Sequence, residues 1–216
     1  AATTYLDTLG VIDANLGENK VNYYVRRAIS QQTQIEESGD MQTTVSVEYS
    51  NTSKKSSAFG GAYENYVRFL LPKGAAVQDV MIDGKVVQTT PAVTDPRVFT
   101  RQNFVAPKEL EGEQTTEGGK SLVGMLVMVP IESRKTVSLT YTIHKAFVPS
   151  AATFTYDLLL FKQPGTSDDQ YAFDLSYPSS LAVVDAEPKA ADVGGKLRYA
   201  GGLKKDEAIR VTFSKK

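Results

Sequence analysis

The stretch TTVSVEYS, residues 43–50, decides the fold class that the sequence predicts. Its apolar side chains, Val45, Val47 and Tyr49, recur at every second position, and the side chains between them are polar. Successive side chains of a β-strand point to opposite faces of a sheet, so this alternation gives one apolar and one polar face. The pattern is typical of a strand in an antiparallel sheet with one face on a core.

Similar β-forming runs lie on both sides of this stretch. They are ENYVRFLLP (64–72), the alternating KTVSLTYTI (135–143), DLLLF (157–161) and AIRVTFS (208–214). DLLLF is apolar throughout, which predicts a central strand covered on both faces. Hairpin turns are predicted at ESGD (37–40) and at Asp83-Gly84, a pair that suits a two-residue type I′ turn. We therefore predict an all-β protein, an antiparallel β-sandwich with little helix, built as one sandwich or as two packed sheet units.

Two segments depart from this pattern. In TTYLDTLGVI (3–12), Tyr5, Leu9 and Ile12 have helical spacing and predict a short helix, which Gly10 weakens. Residues 89–120 are rich in Pro, Gly, Thr and Glu and predict a long solvated loop, interrupted by a short strand in RVFTRQNF (97–104). We expect a single β-rich domain over 1–216; if the chain divides, the sub-boundary lies near 146–153.

Composition excludes several classes of function. The chain has 24 Lys and Arg against 25 Asp and Glu, so it lacks the basic footprint of a nucleic-acid binder. Cysteine is absent, which excludes disulfides, thiolate metal sites and a cysteine nucleophile. No apolar run reaches the length of a membrane span, and AATTYLDTLG at the N-terminus is unlike a signal peptide. We expect any membrane anchor or export signal to lie outside these residues.

Two short motifs suggest chemistry but fit ordinary structure better. EGGKS (117–121) resembles the end of a phosphate-binding loop, but Gln114 stands where that motif needs a glycine, and a strand rather than a helix follows. A solvated turn is predicted there. His144 is the only histidine, whereas a zinc site usually recruits more than one His or Cys. We predict an exposed residue at a strand end.

The acidic pair Asp168 and Asp169 offers the one candidate metal site, for calcium. It lacks the alternating acidic spacing of a dedicated calcium loop, and a turn after Pro164-Gly165 accounts for it equally simply. No residue is nominated as catalytic, and no cofactor is expected. A pair of carboxylates for glycoside hydrolysis would meet only in the folded protein, and the sequence singles out no such pair.

The stretch NLGENKVNYYVRR (15–27) predicts a turn followed by a strand. Asn15 and Gly17 suit the turn, since both tolerate positive φ, and Lys20 opens the strand. Tyr23 and Tyr24 would then point to opposite faces of the sheet, leaving one of them exposed.

This stretch also carries a family resemblance. With ENYVRFLLPKGAAV (64–77), LVGMLVMVPIESRKTVSLTYTI (122–143) and YDLLLFKQPGT (156–166), it resembles, in the same order, the C-terminal part of a bacterial family known as "domain of unknown function 4012". The resemblance implies a bacterial protein anchored by an N-terminal membrane helix, with this region outside the cytoplasm. It implies no activity and no catalytic residues.

An extracellular, cysteine-free sandwich raises one further hypothesis, an internal Lys–Asn isopeptide bond at Lys20. Such a bond would restrict the unfolded chain as a disulfide does. It requires a neutral, buried lysine amine and a nearby acid. Asn51, Asn65 and Asn103 are the candidate partners. The alternative is an ordinary charged lysine with its head in water.

Taken together, the sequence predicts a non-catalytic, extracytoplasmic β-sandwich module that serves as a spacer or interaction domain at a bacterial cell surface. Its expected partners are other surface proteins or polysaccharide, with no nucleic acid, and it would meet a membrane only through an anchor outside these residues. One alternative is a carbohydrate-binding module for cell-wall or capsular polysaccharide. Another is a fragment of a polysaccharide-active hydrolase or transferase.

Overall fold

Two packed β-sheets make up the protein, as the sequence predicts. The computed structural model describes residues 2–17, 19–91, 112–166 and 168–216. Its elements, in chain order, are β1 (Ala2–Asn15), the 3₁₀ helix η1 (Val21–Tyr24), β2 (Val25–Ile35), β3 (Met41–Asn51), β4 (Tyr63–Leu71), β5 (Ala76–Ile82), β6 (Lys85–Val86), β7 (Thr89–Pro91), β8 (Gly112–Glu117), β9 (Lys120–Val129), β10 (Ser133–Ile143), β11 (Thr153–Phe161), β12 (Asp169–Ser176), β13 (Leu181–Glu187), β14 (Ala191–Asp192), β15 (Lys196–Leu203) and β16 (Glu207–Lys215). The all-β class is confirmed.

Each sheet contains eight strands and mixes parallel with antiparallel pairs. The first has the order β13-β16-β11-β1-β4-β9-β8-β7, and the second has the order β14-β15-β12-β2-β3-β10-β5-β6. The parallel pairs β1–β11 and β2–β12 lie near the middle of each sheet and join early strands to late ones. The predicted sandwich is antiparallel; the structure adds these parallel pairs because strands distant in the chain lie side by side, joined by long connections.

The alternation of the opening stretch is reproduced in β3. Val45, Val47 and Tyr49 are fully buried between the sheets. Across the interface, the ring of Tyr156 on β11 stacks on Phe173 of β12, with centroids 6.0 Å apart. Burying one such side chain contributes about 1.5–3 kcal/mol, so the shared core is what holds the two sheets together.

Both predicted hairpin turns are confirmed. Asp83 and Gly84 connect β5 to β6 with φ of 49° and 73°, the two positive values that a type I′ turn requires. In ESGD, Gly39 has a φ of 91° between β2 and β3. EGGKS also forms a turn, since Gly118 and Gly119 connect β8 to β9.

Several local predictions were wrong. Residues 3–12 belong to β1, which has no helical character, and η1 delays the start of β2 to Val25. DLLLF lies within β11, where buried and half-buried residues alternate, so its outer face is less covered than predicted. The predicted 89–120 loop contains β7 and β8, and RVFTRQNF lies outside the described residues.

The segment 146–153 covers most of the connection between β10 and β11 and ends at Thr153, the first residue of β11. The chain before this segment forms β1 to β10, and the chain after it forms β11 to β16. In each sheet these two groups of strands lie side by side and meet at one parallel pair, β1–β11 or β2–β12. Both sheets nevertheless run through both groups of strands. Within the described residues, no helix is long and apolar enough to cross a membrane.

Candidate functional site

Three charged side chains meet in the interior where the two parallel strand pairs face each other. They are Asp13 of β1, Arg27 of β2 and Asp169 of β12, with side chains only 6%, 4% and 3% exposed. In β2 the buried positions alternate with exposed ones, and Arg27 occupies a buried position between Val25 and Ile29. The strand pattern therefore places this guanidinium between the sheets.

Arg27 bridges the two carboxylates. Its Nε and Nη2 donate to Asp169 Oδ1 and Oδ2 at 3.0 and 2.5 Å, a bidentate pair, while Nη1 donates to Asp13 Oδ2 at 2.8 Å. Burial alone would lower the pKa of Arg27. The hydrogen bonds to Asp169 and the charges of both carboxylates outweigh it and raise that pKa above its usual value. Arg27 is therefore always charged.

Neutral side chains complete the coordination of Asp13. Its Oδ1 accepts hydrogen bonds from Tyr49 Oη at 2.7 Å and from Asn65 Nδ2 at 2.9 Å. The side-chain amide of Gln163 pairs with the Asp13 backbone, accepting from its N–H and donating to its carbonyl, both at 2.8 Å. Burial, with the neighbouring Asp13, raises the pKa of Tyr49 well above its usual value, so the hydroxyl stays a donor.

A surface cleft of about 370 Å³ opens onto this cluster. Arg27 and Asp169 line it from the interior, and Thr166 lines it from the β11–β12 connection. Tyr23 of η1 also lines the cleft, and its side chain is among the most exposed apolar groups of the described chain, at 78%. The ring of Tyr24 contacts the Tyr23 ring edge-on, with centroids 5.6 Å apart. Both tyrosines are exposed, whereas the sequence predicted that only one would be.

A second buried polar cluster lies nearer the start of β1. Asp7, 1% exposed, accepts hydrogen bonds from Tyr156 Oη at 2.6 Å, the Thr8 backbone at 2.8 Å, Gln31 Nε2 at 3.4 Å and Tyr141 Oη at 3.5 Å. No ion pair is found for this carboxylate among the described residues. Burial raises the pKa of Asp7 to about 6, and the hydrogen bonds, that of Tyr156 foremost, partly oppose the shift.

The two acids considered as calcium ligands are engaged with cations. Asp169 is buried against Arg27, and Asp168 is exposed, with an oxygen 3.7 Å from Lys204 Nζ. Across the described parts of the chain, no group of three or more His, Cys, Asp or Glu residues is arranged to hold a metal ion. The two aspartates therefore serve different partners and do not converge.

Lys20 is exposed, and its Nζ lies 5.9 Å from the centroid of the Phe59 ring. Of its candidate partners, Asn51 is buried and donates to the carbonyls of Gly61 and Val129, Asn65 donates to Asp13, and Asn103 lies outside the described residues. The apolar burial that an isopeptide bond needs is thus not found at Lys20, and the cross-link stays a prediction for intact-mass measurement.

His144 directly follows β10 and is exposed, as predicted. Its Nδ1 lies 3.2 Å from Asp40 Oδ2, and its side chain is 68% exposed. Asp13 and Arg27 were not among the residues predicted from the sequence. The signal that could have found them is a charged residue at an inward position of an alternating strand, as at Arg27 between Val25 and Ile29.

Comparisons with known proteins give only distant likenesses. No protein-family model matches the chain, and no curated protein matches it. Among solved structures, yeast LTA4 hydrolase in complex with bestatin is 10% identical, with a TM-score of 0.45 over 92% of this chain and 31% of that one. A two-domain M1 zinc metallopeptidase mutant bound to L-tryptophan is 6% identical, with a TM-score of 0.42 over 88% of this chain and 42% of that one.

An M1 zinc metallopeptidase from Deinococcus radiodurans is 8% identical, with a TM-score of 0.39 and the same coverage, 88% of this chain and 42% of that one. The chain thus spans less than half the length of each of these enzymes. At such TM-scores the likeness carries no conclusion about the function of this chain.

Proposed function

We propose that the chain is a non-catalytic β-sandwich module that acts as a spacer or interaction domain at a bacterial cell surface. One observation carries the proposal. Each sheet is continuous from its early strands to its late strands, and the buried ion pairs of Arg27 with Asp13 and Asp169 connect the two sheets where these strand groups meet. A continuous double sheet resists bending, which suits a spacer. The surface location rests on the resemblance to the family known as "domain of unknown function 4012".

The arrangement of the buried acids favours a structural role over hydrolysis. A glycosidase needs one carboxyl group that holds a proton and another that acts as base or nucleophile. Asp13 and Asp169 instead both accept hydrogen bonds from the same guanidinium, Arg27. This occupancy counts against the alternative of a polysaccharide-active hydrolase or transferase fragment.

Labelling on intact cells tests the location. Because the chain has no cysteine, a single introduced thiol reports its own accessibility. Lys205→Cys lies in an exposed turn and should react with a membrane-impermeant maleimide on intact cells that carry the full-length protein. Val45→Cys, fully buried in the core, is the matched control and should react only after denaturation. Labelling of Lys205→Cys only after lysis would contradict the proposal.

A second candidate, a polysaccharide-binding module, is favoured by Tyr23. An exposed ring beside a cleft with the hydroxyl of Thr166 and the amide of Asn22 offers a stacking face and polar groups for a sugar. A glycan array is the direct test. Binding that is lost in Tyr23→Ala and kept in Phe59→Ala, which removes an exposed ring outside the cleft, would support this function; no glycan bound would exclude it.

A further inference from the structure

A second cleft lies between β15 and β16, on the late-strand side of the sandwich. Its volume is about 380 Å³, within the range of small-molecule sites. Leu160, Leu203 and Ile209, all buried core residues, contribute to its lining, and so do the rings of Tyr171 and Tyr199. An apolar ligand group placed here would therefore leave water and contact the core directly.

The cleft exists because β15 lacks one inward side chain. Leu197, Tyr199 and Leu203 are buried at alternate positions of this strand, and the alternation puts residue 201 on the same face. That residue is Gly201. A Cβ built on it would meet no heavy atom within 4 Å, so open space lies where a core side chain would stand.

The charged residues that line the cleft favour an anion. Two of the three are cations, Lys189 and Arg198, against a single acid, Glu207. Both cations pair with carboxylates, Lys189 with Asp185 and Arg198 with Asp174, but their own side chains are 87% and 71% exposed. The Lys189–Asp185 pair is exposed on both sides and contributes little energy, so Lys189 can turn to a bound anion at small cost. Asp174 is buried but also pairs with Lys196 at 3.2 Å, so it keeps one cation if Arg198 turns to the anion.

We propose that the Gly201 cleft, defined by Gly201 and the lining residues just named, binds a small aromatic anion. The ring fills the space left by the missing side chain, and the anionic group stays at the mouth near Lys189 and Arg198. This site is separate from the Tyr23 cleft and does not depend on the surface function proposed above.

Naphthoate is the probe, with uncharged naphthalene methanol as its matched control. Titration followed by amide chemical shifts should move resonances of residues 199–203 and Ile209, with a Kd of about 1 mM, as expected for a ligand of this size. Naphthalene methanol should bind several-fold more weakly. An absence of shifts in the cleft would overturn the proposal, and equal affinities would overturn its choice of an anion.

A variant at Gly201 tests whether the ligand occupies the space that the missing side chain leaves. Gly201→Val should fill the space and weaken naphthoate binding at least tenfold while the protein stays folded, since the added side chain meets open space. Val184→Ala, at an exposed position of β13 that does not line the cleft, is the control and should leave the affinity within twofold. Unchanged affinity in Gly201→Val, with a native amide spectrum, would overturn the proposal.

The cations are tested in the double variant Lys189→Gln, Arg198→Gln. Naphthoate should bind several-fold more weakly, whereas naphthalene methanol should bind as it does to the unchanged protein. An equal loss for both probes would mean that the cations do not select the anion.

Discussion

Asp7 and Asp13 lie on the same strand, six residues apart, and face the same interior, yet their surroundings differ. Asp13 meets Arg27 at 2.8 Å, whereas Asp7 meets only hydroxyl and amide groups. A buried carboxylate is costly unless it is paired or neutralised. The protein uses both solutions: Arg27 pairs with both Asp13 and Asp169, and burial raises the pKa of Asp7. The first cluster therefore contains a cation, Arg27, that stays charged, and the second contains a carboxyl group, Asp7, whose charge changes near pH 6.

Removing the cation should have the largest effect. Arg27→Met leaves two buried carboxylates without a cation, so we expect the free energy of unfolding to fall by about 3–5 kcal/mol. Urea denaturation measures this change. Arg26→Met, on the adjacent exposed position, is the control and should change stability by less than about 0.5 kcal/mol. If Arg27→Met lowered the free energy of unfolding only slightly, the ion pairs of Arg27 would not be important for holding the two sheets together.

The next effect is the pH dependence due to Asp7. Its pKa is raised from 3.8 to about 6 in the folded state, so the folded protein binds the proton more tightly than the unfolded chain. The resulting stabilisation is full below about pH 3.8 and is lost as pH rises through 6. The shift corresponds to roughly 3 kcal/mol.

Asp7→Asn should abolish this contribution. The difference in unfolding free energy between Asp7→Asn and the unchanged protein should therefore vary with pH between 4 and 7. Asp79→Asn, at an exposed position of β5, should show no such difference. Parallel pH profiles for Asp7→Asn and the unchanged protein would contradict the assignment.

The smallest effect compares two hydrogen bonds. Tyr156→Phe removes the strongest donor to Asp7 and should cost about 1 kcal/mol at pH 5 but about 2–3 kcal/mol at pH 8, where the carboxylate is charged. Tyr49→Phe removes a donor to Asp13, and its cost should be the same at both pH values because Arg27 stays charged. If the stability cost of both variants changed in the same way between pH 5 and pH 8, the proposed difference between the two clusters would be wrong.

These clusters also show why sequence reasoning succeeded only in part. In β3 the buried positions that the prediction used carry Val45, Val47 and Tyr49, so hydrophobic alternation alone identifies the strand. In β1 the inward positions include Asp7 and Asp13, which break that alternation. The remaining apolar residues then fit a helical spacing, and a helix was predicted.

The candidate site could not be predicted from the sequence, for a different reason. Arg27 and Asp169 are separated by 142 positions in the chain and meet only because β2 and β12 pair in parallel. No local pattern encodes that pairing. The turns, by contrast, depend on adjacent residues such as Asp83 and Gly84, and these were predicted correctly.

The most direct test of the account is a carbon-13 NMR titration of the Asp7 carboxyl group in the folded protein, with its resonance assigned by its absence from Asp7→Asn. We expect a midpoint near pH 6, because the carboxylate is buried without a cation. A midpoint at or below the ordinary value of 3.8 would contradict it, and would mean that Asp7 is either hydrated or paired with a positive charge.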